Sequence, residues 1–97
     1  MANPTDIEDL RAVIGKLHGC DSTNVESAAV HEVFQGKVVW DGIVEIFDLI
    51  GHLKAKRCYA WAYQDANQTK YVAVLEIPPV ESARTAVQTA IASKAQT

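Results

Sequence analysis

Glycine and proline are scarce in this chain of 97 residues, with five and three copies, and no segment is repetitive or of low complexity. With 48% apolar residues the chain has enough to bury, so disorder is excluded except near the ends. It lacks any apolar run near the ~20 residues that a membrane-spanning helix needs, so no membrane association is expected. The first ten residues, MANPTDIEDL, have neither the basic start nor the apolar core of a signal peptide. A cytoplasmic protein of bacterial style is the resulting expectation. Cysteine is limited to Cys20 and Cys58, which fall in different kinds of segment. A disulfide between them is the lesser reading, and free, partly buried thiols the better one. The three histidines show no metal spacing with either cysteine, and His18-x-Cys20 is at most half of a zinc site. No glycine-rich phosphate loop, serine elbow or dinucleotide fingerprint occurs, so no cofactor is expected. Positive charge is in deficit, with a formal net charge of −3, which argues against a general nucleic-acid binder.

What the chain does have is a central stretch, residues 37–77, that reads as strands joined by one basic loop and one polar turn. The length allows a single domain, residues 1–97, with one core. Before the stretch, Ile7, Leu10, Ile14 and Leu17 form a helical stripe between Thr5, read as a capping residue with Glu8, and Gly19 at the stop. Asp21 to Asn24 reads as a connecting turn. Residues 25–34 are ambiguous between helix and strand. Val25, Val30, Val33 and Phe34 tip the balance to strand. The next strand carries a flaw at Asp41-Gly42, where a bulge is preferred to a turn. Strands at 57–64 and 70–77 follow, with turn residues 65–68 between them and Pro78-Pro79 as a stop. Ser82 can cap a last helix whose stripe is Ala83, Val87, Ala90 and Ile91. The expected fold is α+β: an antiparallel sheet of three or four strands, with an N-terminal and a C-terminal helix packed on one face.

Alternation divides each strand between two faces. From 57 to 63, Cys58, Ala60 and Ala62 are small while Arg57, Tyr59, Trp61 and Tyr63 are large. The small set, with Tyr71, Ala73, Leu75 and Ile77, suits a seat for both helices. The opposite face would then lie uncovered, carrying Tyr59, Trp61 and Tyr63 beside Val72, Val74 and Glu76, with Glu45 and Phe47 from the neighbouring strand. Aromatic rings and carboxylates together can hold an organic cation. Three uses of this face stay open: a ligand site, a homodimer interface, or core with the faces exchanged.

The favoured function is a small non-catalytic binding or interaction module for a small organic ligand, cationic in one version, or a partner chain. Tyr59, Trp61 and Tyr63 would give contact area, Glu45 and Glu76 charge selection, and Arg57 an anchor at the rim. One alternative is phosphate or nucleic-acid binding through His52, Lys54, Lys56 and Arg57, set against the reading of a solvated loop. The second is a small enzyme using His31 and Glu32, beside which no nucleophile or anion hole is marked. The pattern Phe34-x-Gly36-x-x-Val39-Trp40-x-Gly42, with Gly51-His52 and Lys54-Ala55-Lys56-Arg57-x-Tyr59-Ala60-Trp61, resembles small bacterial single-domain proteins of unknown function, some carried on integron cassettes. The resemblance covers the middle third of the chain and implies a compact α+β domain, with no site residue carried over.

Overall fold

The computed structural model describes residues 4–95, and among them the side chains of 7–64 and 66–93. Helix α1 (Pro4–His18) is followed by strands β1 (Asp21–Phe34), β2 (Lys37–Ile50), β3 (Arg57–Asp65) and β4 (Gln68–Leu75), then helix α2 (Ala83–Ala95). The strands form one antiparallel meander in the order β1-β2-β3-β4, so the α+β class with terminal helices is as expected. No helix among the described residues is long and apolar enough to cross a membrane.

Helix α1 opens at Pro4, where a missing amide hydrogen costs nothing. The cap expected at Thr5 therefore falls inside the helix, and its side chain lies outside the described residues. The helix closes as expected. Gly19 takes φ 68°, and its amide donates to the Gly15 carbonyl at 2.9 Å. Leu17 of the predicted stripe is exposed, whereas Leu10 and Ile14 are buried. At α2, the Ser82 hydroxyl accepts from the Thr85 amide at 3.2 Å, and the Thr85 hydroxyl accepts from the Ser82 amide at 2.9 Å. This reciprocal cap fixes the helix start.

Both hairpins close on two residues with positive φ, Gln35 and Gly36 in the first and Ala66 and Asn67 in the second. Such type I′ turns match the right-handed twist of the strands they join. Residues 21–24 are strand rather than turn, because Asp21 to Asn24 pair with Ile50 to Phe47. That pairing satisfies the backbone groups that a local turn would otherwise serve. The bulge expected at Gly42 lies elsewhere: the register slips between Asn24 and Glu26, and again between Glu32 and Val33. Gly42 instead leaves room for Trp40, whose Cη2 would stand 3.2 Å from an added Cβ.

The two hairpins are joined along a short seam. β2 and β3 pair only from Glu45↔Ala60 to Asp48↔Arg57, while β1–β2 and β3–β4 continue to their turns. Beyond Glu45 the hairpins therefore diverge, and this opening positions the candidate sites.

The helices do not share a face. Leu10 and Ile14 of α1 pack with Phe47, Cys58 and Ala60, flanked by Tyr71, Ala73 and Leu75. Ala83, Ala86 and Val87 of α2 pack on the other side with Val44, Ile46, Tyr59 and Trp61. Volume explains the correction. The bulky stripe of α1 needs the small face of β3, whereas the alanine stripe of α2 needs large partners to fill the space. The predicted uncovered aromatic face is thus covered by α2, and Phe47 belongs to the α1 side.

Candidate functional site: a cleft where the hairpins diverge

Six residues, five on one face and Arg57 at its rim, were predicted to form a binding surface, and the structure separates them. Tyr59 is buried beneath α2, with its hydroxyl donating to Glu76 Oε2 and 3.3 Å from the Glu81 carbonyl oxygen. Burial, reinforced by the Glu76 carboxylate, pushes its pKa up to about 12. Glu76 is thereby engaged inside the protein rather than offered to a ligand. Arg57 closes the other end of β3, its Nε donating to Asp48 Oδ1 at 3.2 Å. This pairing raises the guanidinium pKa, against a smaller effect of burial. Trp61 is buried edge-on against Trp40, with ring centroids 5.6 Å apart and planes at 75°. Tyr63, at the end of the stripe, is open to solvent.

Glu45 lies on the α1 side, opposite Tyr59 and Glu76. Its register partner is Ala60, and residues paired across strands share a face. It is 2% exposed. Oε1 accepts from Ser27 Oγ at 2.5 Å and Asn24 Nδ2 at 3.3 Å, both on β1. Oε2 is buried and has no hydrogen-bond partner among the described residues.

Above Glu45 the diverging hairpins and α1 enclose an open cleft of about 510 Å³. Its walls include Asp9 of α1, Trp61, Tyr63 and Gln64 of β3, and Tyr71 of β4. The Tyr71 hydroxyl donates to Asp9 Oδ2 at 3.4 Å, so a second carboxylate stands at the mouth. The cleft therefore combines three predicted residues, Glu45, Trp61 and Tyr63, with Asp9 and Tyr71, which the sequence reading missed. The missed pair sits on α1 and β4, and only the assembled sheet brings both to Glu45.

On the α2 side of the same opening is an apolar groove of about 700 Å³. Trp40, Trp61 and Tyr63 line it with Val72, Val74 and Ile91. Trp61 and Tyr63 thus contribute to the lining of both recesses.

The basic loop is folded upon itself. His52 Nδ1 accepts from the amides of Lys54 and Ala55, each at 3.0 Å. Those amides point inward, Arg57 is engaged by Asp48, and Lys54 and Lys56 are exposed. The four residues form no common cradle for phosphate. His31 and Glu32 are also separated. His31 is exposed, 3.4 Å from Asp41, whereas Glu32 faces α2 and accepts from Gln88 Nε2 and Arg84 Nε, each at 2.8 Å. The Gln88 and Arg84 contacts lower the Glu32 pKa. As neighbours in a strand, the two point to opposite faces and cannot act on one proton. Both cysteines are free thiols, Cys58 being buried and pushed up to about 12. Among the described residues no three His, Cys, Asp or Glu side chains are grouped to hold a metal ion. Compared with family models, curated proteins and solved structures, the chain matches none.

Proposed function

We propose that this protein is a binding module for a small organic cation, held by its ammonium group in the cleft above Glu45. The observation that carries this reading is the buried, unpartnered Oε2 of Glu45. A carboxylate oxygen withheld from both water and protein donors is destabilised, and a charge-assisted donor would relieve that cost. The Tyr71 ring suits the flank of a cation, and Asp9 beside it adds charge at the mouth. Oε2 is buried, so a group that reaches it must be small and able to donate. A primary ammonium satisfies both conditions, whereas a trimethylammonium satisfies neither.

Calorimetric titration with a series of alkyl and arylalkyl amines tests the reading. Primary amines bind, and successive N-methylation weakens them. Glu45→Gln keeps the size of the side chain and removes its charge. It lowers affinity at least tenfold, about 1.4 kcal/mol. Asp9→Asn, at the exposed mouth, lowers it only about two- to threefold, as for a solvent-screened pair. Equal binding to the wild type and Glu45→Gln, or no binding of any primary amine, refutes the assignment.

A further inference from the structure

The cleft that would hold an ammonium group draws carboxylates from two elements, Glu45 from β2 and Asp9 from α1. Among the described residues that line it, none is a lysine, arginine or histidine. A single ammonium at Glu45 would therefore leave the charge of Asp9 unmatched. At about 510 Å³ the cleft leaves room for a chain beyond that ammonium.

Both carboxylates are held on rigid parts of the fold. Leu10, next to Asp9, packs in one buried cluster with Phe47 and Ala60, and Ala60 is the register partner of Glu45. Asp9 Oδ2 accepts from the Tyr71 hydroxyl, while Glu45 Oε1 accepts from Ser27 and Asn24. Helix and sheet thus set one separation between the two acidic groups.

We infer that the ligand of this cleft is a dication, a linear aliphatic diamine with one ammonium at Glu45 and the other at Asp9. This rests on the ammonium reading of Glu45 and extends it to the far end of the ligand. A divalent metal ion carries the same charge but needs its donors gathered round one point. Among the described residues no three His, Cys, Asp or Glu side chains are so grouped. Two separate carboxylates suit two charges joined by a chain, whose methylenes would meet the apolar side chains of Ile43 and Ala62. The two contacts are unequal. Glu45 is buried, whereas Asp9 is exposed and its pairing is screened by solvent. An ammonium in place of a terminal methyl strengthens binding only where a carboxylate receives it, because desolvating an unmatched charge is costly.

Calorimetric titration of matched pairs, each diamine against the monoamine of equal chain length, tests the inference. At one optimal length the diamine binds about tenfold tighter than its monoamine, of which about twofold is statistical because either end can enter. Asp9→Asn, with an unchanged far-UV circular dichroism spectrum, weakens the monoamine by the two- to threefold expected at the exposed mouth, and the diamine by about tenfold or more. Only the statistical preference is left. Glu45→Gln weakens both members of every pair. Monoamines that bind through Glu45 while diamines gain no more than the statistical factor at every length overturn the inference and leave the ammonium reading intact. A diamine preference that survives Asp9→Asn does the same. Failure of every amine to bind, diamines included, overturns both.

Discussion

Tyr59 shows how one buried polar side chain can tie distant parts of this chain together. Its ring fills the α2 side of the sheet, and its hydroxyl reaches Glu76 just past β4 and approaches the carbonyl of Glu81. Tyr59→Phe keeps the ring and leaves both acceptors without this donor. A cost on the order of 1–2 kcal/mol in urea unfolding at neutral pH is expected. The pH dependence identifies the cause. Folding raises the pKa from 10.0 to about 12, so the unfolded chain loses this proton first. The stabilisation is complete below pH 10 and is lost as pH rises towards 12. The gap between wild type and Tyr59→Phe should narrow through that window. A constant gap would show that lost packing, not the proton, sets the difference.

At the scale of elements, the two hairpins use the same turn geometry with different residues. Gly36 supplies one of its positive φ angles at no steric cost, but Ala66, at φ 50°, carries a Cβ that this conformation disfavours. Ala66→Gly should therefore stabilise the protein by about 0.5–1 kcal/mol, after allowing for the greater freedom of glycine when unfolded. Its exposed position ensures that no packing contact is traded. The shift in urea midpoint measures the effect, and a destabilised variant would show that relief of strain does not outweigh the entropy. The same geometry explains why strand boundaries were only partly legible. Asn67 and Gly36 announce turns, whereas Asp21 to Asn24 have turn composition and become strand only because β2 is available to pair with them. Local preference cannot reveal a partner that is more than twenty residues away in sequence.

At the scale of the molecule, one sheet serves two cores. The split of β3 into small and large faces was legible from alternation, and so were the amphipathic stripes of both helices. What the stripes do not state is which face each helix takes. That choice depends on matching volumes across an interface, leucine and isoleucine against alanine, and alanine against tyrosine and tryptophan. Glu45 was misplaced for a related reason. A bulge expected at Gly42, rather than the slip opposite Glu32 and Val33, leaves the register of β2 unresolved, and a shift of one residue reverses a side chain's face. Because β3 contributes to both cores, loss of either should be felt throughout. Leu10→Ala removes a fully buried contact on the α1 side, and Val87→Ala removes one on the α2 side. Costs of about 2–4 kcal/mol are expected, depending on how far each cavity collapses. Both variants should still unfold in a single transition. For Leu10→Ala in particular, tryptophan fluorescence, which reports Trp40 and Trp61 on the far side of the sheet, should change at the same urea concentration as far-UV circular dichroism. Separated midpoints would mean that α1 leaves before the rest, and that the sheet does not couple its two faces.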